Sequence, residues 1–410
     1  MKKFFALLLS LAMVLALVAC GQKDPTPDTP DTPDDPQTKV EYKVAMITDY
    51  GDITDQSFNQ TTYEACKAFA EDNSIEFSYF KPAGDNTADR VAMIEKAVND
   101  GFNVIVMPGY AFGGAIVEAA PEFPDVKFIA LDVAAGDLLE TAVAKAGEAY
   151  DYTPENWDLN KYVDMSNVYC AVYQEELCGY MAGYAAVKLG YKNLGFLGGM
   201  SVPAVVRYGY GFVQGVDAAA ADLGLTDVKL NYIYGGQFFG DADITAVMDT
   251  WYQGGTEVVF ACGGGIYTSA VDAAKKVNAK VIGVDVDQAG VIAKYAGVDG
   301  MTVTSAMKGL YPATYDTLTD VIVNGNWDKY VGKIATLGLV SGTDPEANYV
   351  QIPMGDGTQW SDSFTQDDYK AMVKDMFDGK ITVSNNTSSD VSAADFATVI
   401  TVDDQGSIKG

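Results

Sequence analysis

Short apolar runs alternate with amphipathic stretches along most of this 410-residue chain. The runs are nearly continuous in apolar residues, which is typical of strands buried on both faces of a parallel sheet. They predict strands at 44–48, 104–107, 128–131, 167–172, 194–197, 230–234, 258–262, 281–284 and 301–305. Between them, apolar residues at three- and four-residue steps predict helices at 58–71, 89–99, 175–188, 210–222, 243–253 and 269–276. The repeated strand–helix order indicates an α/β fold with doubly wound parallel sheets.

A break in this rhythm suggests two lobes. Residues 136–150 are helix-like, 151–165 are polar and irregular, and a new strand–helix series begins at 167. The chain is also too long for one typical domain. We therefore predict an N-terminal lobe from residues 40–166 with 285–325. A C-terminal lobe is predicted from 167–284 with 326–385, followed by a polar tail at 386–410.

The first residues have the layout of a secretory signal. Two lysines precede an apolar run that is shorter than the roughly 20 residues needed to span a bilayer. Small residues then lead to Cys20, as in a bacterial lipobox, so we expect removal of residues 1–19 and lipidation of Cys20. The alternative is an ordinary signal peptide that contains a cysteine. Residues 20–39 alternate proline, aspartate and threonine, which predicts an extended spacer. The expected location is the extracytoplasmic face of the cell membrane, reached through this lipid anchor.

Charge and composition exclude several functions. The formal net charge of −29 would repel the phosphates of a nucleic acid, so no nucleic-acid partner is expected. The chain contains no histidine, which excludes a Ser-His-Asp triad, a Cys-His pair and a histidine-ligated zinc site. The cysteines after Cys20 form no C-x-x-C pair, which argues against zinc and thioredoxin-like sites. Cys170 and Cys178 are close enough in sequence to bridge, or both are free buried thiols.

Glycines, carboxylates, amides and aromatic residues follow nearly every predicted strand. In open parallel sheets, ligands bind beyond the carboxyl ends of the strands, so these residues are candidates for binding a polar small molecule. The residues at or after these strands include Asp49, Phe58, Asn59, Asp132, Tyr208, Phe238, Gly264, Asp285 and Lys308.

Each of these features has an alternative interpretation. Phe58 and Phe238, taken singly, could belong to the core. The glycines at 263–265 form a plain turn or a phosphate cradle, although no lysine follows to make a P-loop. Asp49, Asp132 and Asp285 could be a hydrolase set or could bind sugar hydroxyls. The carboxylates near Asp285 lack complete EF-hand spacing, and no metal or cofactor is expected.

Several segments, in order from about residue 42 to 325, resemble the basic membrane protein family of lipoproteins. These segments are TDYGDITDQSFNQ, FIALD, GFLGGMSVPAVVRYGYGF, GGQFFGD, ACGGGIYTSAV, IGVDVDQAG and SAMK. The resemblance implies a substrate-binding protein of an ABC importer, with a type I periplasmic-binding-protein fold whose interlobe cleft closes on a nucleoside. The family's name suggests a basic protein, whereas this chain is acidic.

The resemblance also assigns the groups that would hold a base. It implies that Phe58 and Phe238 sandwich the base between their rings, with Phe239 as a register alternative. Stacking on aromatic faces suits a planar base. Asn59 and Asp132 match the family's groups that read the base edges, and their side chains supply donors and acceptors for that purpose.

The same resemblance assigns the groups that would hold the sugar. Asp285 and Lys308 match the pair that binds the ribose hydroxyls, Gly264 offers its backbone, and Asp49 matches a carboxylate facing the cleft. Tyr208 stands where the family often has phenylalanine, so its hydroxyl could change the base preference.

Together these features predict a lipid-anchored receptor that captures a purine nucleoside and passes it to an ABC permease. Hinge closure around the ligand would be the mechanism, no bond would be broken, and a monomer is expected. Alternatives are a sugar-binding protein of an ABC importer and a sensory lipoprotein. A nucleoside hydrolase would need aspartates clustered around calcium, which the scattered aspartates do not predict.

Overall fold

Two β-sheets organise residues 41–409, the part of the chain that the computed structural model describes. The predicted signal segment, Cys20 and the whole predicted spacer lie outside these residues. The strands, in chain order, are β1 (Lys43–Ile47), β2 (Glu76–Phe80), β3 (Val104–Pro108), β4 (Lys127–Leu131), β5 (Val168–Tyr173), β6 (Asn193–Gly198), β7 (Lys229–Tyr234), β8 (Val258–Cys262), β9 (Lys280–Asp285), β10 (Thr302–Lys308), β11 (Lys333–Leu337), β12 (Val350–Gln351) and β13 (Thr401–Ser407).

Both sheets are almost entirely parallel, as predicted. The first has the strand order β11-β5-β4-β3-β1-β2, and all its neighbours are parallel. The second has the order β12-β10-β9-β8-β6-β7-β13, in which only the short β12 is antiparallel to its neighbour. In each sheet the strand order reverses direction near the middle, which identifies two doubly wound lobes.

Helices connect successive strands and cover both faces of each sheet. Along β1, Met46 packs in the same cluster as Phe69, whereas its neighbour Ile47 packs on the other face with Phe112. The helices are α1 (Phe58–Asn73), α2 (Thr87–Asn99), α3 (Phe112–Ala119), α4 (Ala135–Lys145), α5 (Leu159–Tyr162), α6 (Glu175–Lys188), α7 (Pro203–Asp222), α8 (Ala242–Gln253), α9 (Tyr267–Val277), α10 (Ala289–Ala296), α11 (Leu310–Leu318) and α12 (Gln366–Phe377).

The sheets divide the chain differently from the predicted lobe boundaries. β5 was assigned to the C-terminal lobe but pairs with β4 in the first sheet. β10 was assigned to the N-terminal lobe but pairs with β9 in the second sheet, and β11, assigned to the C-terminal lobe, joins the first sheet. Periodicity along the chain identifies a strand but not its neighbours, so boundaries drawn from a break in rhythm missed these pairings.

The C-terminal residues also differ from the prediction. The segment 386–410 was expected to be a polar tail, yet Thr401–Ser407 forms β13 and pairs in parallel with β7. This strand lies at the sheet edge and is mostly exposed. Its polar sequence therefore gives no apolar run to recognise.

Three connections between the sheets lie side by side, where the expected hinge would be. The chain crosses after β5, after β10 and after β11. The amide of Gln174 donates to the carbonyl of Leu337 at 2.9 Å, and the amide of Gly309 donates to Tyr349 at 2.7 Å. Tyr349 in turn donates to Gly338 at 3.0 Å. Hinge motion would therefore involve all three connections together.

Close glycine contacts join α6 to α7 in the second lobe. A Cβ on Gly179 would lie 2.3 Å from the carbonyl oxygen of Tyr208, and one on Gly211 would lie 2.1 Å from that of Glu176. Any larger residue would push the helices apart. This packing fixes the first turn of α6 against the first half of α7, and both helix N-termini contribute residues to the site described below.

The structure of residues 41–409 also shows the state of the cysteines and the character of the helices. Cys66, Cys170, Cys178 and Cys262 are all buried and free, so Cys170 and Cys178 do not bridge. Among the described helices, none combines the length and apolar character required for a membrane span.

Candidate ligand-binding site

A cavity of about 430 Å³ lies at the carboxyl ends of strands from both sheets. Its walls include the residues after β1, β3 and β4 in the first lobe, and in the second lobe those after β8 and the last residues of β9 and β10. The predicted binding residues all line this one cavity: Asp49, Phe58, Asn59, Asp132, Tyr208, Phe238, Gly264, Asp285 and Lys308.

Lys308 is the central charge of the cavity. Its ammonium pairs with the carboxylate of Asp132 from the opposite lobe, and lies 3.4 Å from Glu175 and 3.8 Å from Asp285. The lysine side chain is only 3% exposed. Burial by itself would lower the pKa of Lys308, but the carboxylates of Asp132, Asp285 and Glu175 outweigh it and raise the pKa above its ordinary value. The ammonium is therefore charged at any physiological pH.

Aromatic rings enclose this ammonium. Its nitrogen lies 4.8 Å from the ring centre of Phe58, 5.4 Å from that of Tyr173 and 5.6 Å from that of Tyr208. A cation over an aromatic face is attracted by the ring quadrupole. Phe58 thus has a structural role beside Lys308 as well as a face on the cavity.

Asp132 and Asp285 occupy equivalent positions in the two lobes. Each follows or ends a central strand, and each has a left-handed backbone, with φ of 57° and 64° respectively. This conformation is strained for a residue other than glycine, and such strain is found preferentially at functional sites. Asp285 accepts hydrogen bonds from the Ser57 hydroxyl at 2.5 Å and from the Tyr208 hydroxyl at 3.3 Å. Its carboxylate is therefore held from both lobes.

The loop after β1 fixes Asn59. The Nδ2 atom of Asn59 donates to Asp49 at 3.2 Å and to Asp55 at 3.1 Å. Asp49 also accepts from the backbone amides of Tyr50 and Gly51, each at 2.6 Å, while burial raises its pKa. The remaining oxygen of the Asn59 amide is buried and has no partner within residues 41–409.

Asp132 has a similar open acceptor. One of its carboxylate oxygens pairs with Lys308, whereas the other is buried with no hydrogen-bond partner in the described part of the chain. Buried acceptors are costly when unpaired. Both Asn59 and Asp132 line the cavity, so a ligand that offers hydrogen-bond donors would satisfy them.

Packing distinguishes Phe238 from its neighbour Phe239. A Cβ on Gly199 or Gly263 would lie 2.4 Å and 2.8 Å from the ring of Phe238, so this ring rests against both glycines. Gly264 continues the close approach, since a Cβ there would lie 3.0 Å from the Phe238 carbonyl oxygen. Phe239 also lines the cavity but is 57% exposed. Phe238 is therefore the ring that the protein holds in place.

Two tyrosines that the sequence analysis did not select also line the cavity. The hydroxyls of Tyr50 and Tyr110, from the first lobe, lie 3.6 Å and 3.7 Å from the sulfur of Met200 in the second lobe. The ring centre of Tyr50 is 6.5 Å from that of Phe238. Both tyrosines follow strand ends, so the expectation that ligands bind beyond the carboxyl ends of parallel strands could have identified them.

Glu175, Arg207 and Asp137 were also missed. Arg207 donates to Glu175 at 2.7 Å, and the Glu175 side chain is completely buried. Asp137 accepts from the amide of Ala134 at 2.7 Å, and burial raises its pKa to about 7. Glu175 and Arg207 lie on helices rather than strand ends. In the sequence, only the position of Arg207 next to the candidate Tyr208 could have suggested that Arg207 belongs to the site.

The charge balance of the cavity favours a ligand without negative charge. Among the described lining residues, the cations Lys81, Arg207 and Lys308 are each paired with a carboxylate. A phosphate would find no uncommitted cation here. The described residues also contain no cluster of three or more acidic or cysteine side chains that could hold a metal ion.

Comparisons with known proteins agree with this architecture. The nucleoside-binding protein BmpA of an ABC transporter from Lactococcus lactis is 25% identical over 389 residues, which cover 92% of this chain and 96% of that protein. Basic membrane protein B of Borreliella burgdorferi is 26% identical over 322 residues, covering 76% of this chain and 83% of the relative.

A crystal structure of an ABC transporter solute-binding protein from Aeropyrum pernix matches with a TM-score of 0.59. It is 20% identical and covers 84% of this chain and 88% of its own. This likeness confirms the predicted periplasmic-binding-protein fold. The family model described as ABC transporter substrate-binding protein PnrA-like matches residues 42–345. The chain therefore belongs to the Bmp family of ABC transporter substrate-binding proteins.

Proposed function

We propose that this substrate-binding protein captures a purine nucleoside outside the cytoplasm and delivers it to the permease of an ABC importer. The protein would act as a monomer, held at the membrane by a lipid on Cys20. It would break no bond, because its role is to bind the ligand and release it.

The observation that carries the proposal is the combination of groups in one cavity. Phe58 from the first lobe and Phe238 from the second both present rings to it. Beside them, the Lys308 ammonium nitrogen lies 3.8 Å from a carboxylate oxygen of Asp285. Such a pair can accept from and donate to the vicinal hydroxyls of a sugar. Two aromatic faces suit a base, and the charged pair suits a ribose. A nucleoside needs both features at once.

The open acceptors of Asn59 and Asp132 further support a base with N–H groups. Purines carry such donors on their edges, whereas a pentose alone would leave one end of the cavity without a partner. Since every described lining cation is already paired, a neutral nucleoside fits better than a nucleotide. The name of the Lactococcus relative, a nucleoside-binding protein, points in the same direction.

A ligand screen tests the proposal directly. Guanosine, inosine, adenosine, the free bases, ribose and glucose would each be titrated into the purified protein by calorimetry, with thermal shift as a second readout. A ligand at about 100 times its Kd stabilises the folded protein by about 2.7 kcal/mol. We expect at least one purine nucleoside to bind and ribose alone not to bind.

A matched variant separates stacking from general apolar contact. Phe58→Leu keeps most of the apolar volume but removes the aromatic face, so nucleoside affinity should fall about tenfold. Binding of a sugar but no nucleoside would show that the protein is a sugar receptor. In that case Phe58 and Phe238 would only form the cavity wall.

A further inference from the structure

The C-terminal residues 398–409, which lie beyond the segment that the family model matches, are tied to the second lobe at their start. The buried carboxylate of Asp217, on α7, accepts hydrogen bonds from the amides of Thr398 and Val399 at 2.8 Å and from Ile400 at 3.2 Å. It also accepts from the Thr398 hydroxyl at 2.6 Å. One side chain therefore fixes where the segment begins.

From this point the segment runs along β7 towards the cavity. Strand β13 pairs in parallel with β7, and the indole of Trp251 donates to Gln405 at 3.2 Å. The amide of Ile408 then donates to the carbonyl of Tyr234, the last residue of β7, at 2.8 Å. The segment thus reaches the end of the strand that leads directly into the loop bearing Phe238.

Lys409 contacts that loop on both sides of Phe238. Its ammonium donates to the side chain of Gln237 at 2.8 Å and pairs with the carboxylate of Asp241. Gln237 itself donates to Asp241 at 3.0 Å. A Cβ on Gly236 would lie 2.7 Å from the carbonyl oxygen of Lys409, so the backbones are also in close contact. The lysine connects the residue before Phe238 to a residue shortly after it.

The sequence of the loop at residues 235–241 indicates that it needs external contacts to hold one conformation. It reads GGQFFGD from residue 235, and Gly236 has a left-handed φ of 80°. Glycine-rich backbone has many accessible conformations, whereas a stacking ring must be held near one geometry. Within the described residues, the loop's own amides at Gly235 and Gly236 bond to Gly198 and Gly199 in β6 and its following turn. The C-terminal segment adds a second set of contacts from the opposite side.

We propose that residues 398–409 form a strap that positions Phe238 for the ligand, with Lys409 as the positioning residue. The proposal rests on the proposed function, because contact between Phe238 and a base is part of that proposal. The strap itself can be tested without any ligand.

The first experiment measures hydrogen exchange at the amides of residues 235–241 in the ligand-free protein. Lys409→Gln removes the charge and should speed exchange at Gly235 and Gly236 severalfold. Lys380→Gln is the matched control, since Lys380 is an exposed lysine that pairs with Asp375 and Asp378 far from this loop in sequence. It should leave these amides unchanged. Unchanged exchange in Lys409→Gln would overturn the strap.

The second experiment measures guanosine affinity by calorimetry. Lys409→Gln should raise Kd about two- to fivefold, the range expected for losing a partly exposed ion pair, and Lys409→Arg should restore most of it. In a Phe238→Ala background the same change should have no further effect. An equal loss in both backgrounds would show that Lys409 does not act through Phe238. If the wild-type protein binds no nucleoside, the proposed function fails while the exchange result still decides whether the strap holds the loop.

Discussion

Replacing Phe238 by alanine should weaken nucleoside binding far more than replacing its neighbour Phe239. The Phe238 ring is seated against Gly199 and Gly263, at distances that leave no room for a Cβ on either glycine. A ring held in this way can stack without first being ordered. Loss of one aromatic–base stack costs about 1–3 kcal/mol, so Phe238→Ala should raise Kd about 5- to 150-fold. Phe239 is 57% exposed, and its removal should change Kd by no more than about twofold.

Calorimetric titration of both variants with the best-binding nucleoside measures these ratios, and urea unfolding provides the control. Phe238 is partly exposed, so its truncation should leave a folded protein whose affinity can be measured. If Phe239→Ala loses as much affinity as Phe238→Ala, or more, then the seated ring is not the one that stacks. That result would refute the inference from packing to ligand contact.

Two predictions concern the buried charges near the cavity. Burial raises the pKa of Glu176 to about 7, so this group's contribution to stability is present below its ordinary pKa of 4.5 and is lost as the pH rises through 7. Glu176→Gln should therefore stabilise the protein by about 3 kcal/mol at pH 8 but by less than about 1 kcal/mol at pH 5, as measured by urea unfolding; an equal effect at both pH values would contradict this cause. Lys308→Met removes the cation beside three buried carboxylates and should lower the free energy of unfolding by about 3–5 kcal/mol at pH 7. Adding Asp132→Asn should recover part of that loss, and no recovery would show that Asp132 does not depend on Lys308.

The interior of the fold could be predicted from sequence because its strands are buried on both faces. β3 and β8 are buried at every residue, and their apolar runs are unmistakable. The edge strands β2 and β13 were missed because they are partly or mostly exposed and so contain no continuous buried apolar run. Sheet membership was harder still, since it depends on where the chain crosses between lobes. No local sequence pattern predicts that β5 pairs within the first sheet.

The site was predictable where its residues lie at the carboxyl ends of parallel strands. Asp132, Asp285 and Lys308 stand at strand ends, and the topology brings them to one cavity. Glu175 and Arg207 face each other only because α6 and α7 pack closely through glycines. Their pairing is a property of helix packing between residues 32 positions apart, which a sequence pattern does not specify.

The contacts around the cavity would connect ligand binding to the expected closure of the lobes. Ser57 of the first lobe donates to Asp285 of the second at 2.5 Å, and Gln288 of the second lobe donates to the backbone of Gln56 in the first at 3.2 Å. The Lys308–Asp132 pair also crosses between lobes. These bonds join protein to protein, so they favour the closed arrangement independently of what the cavity holds. A ligand shifts the equilibrium only by its additional affinity for the closed form. Since Asp285 and Lys308 take part in both closure and the proposed ribose contact, substituting either residue should change the hinge equilibrium as well as the affinity.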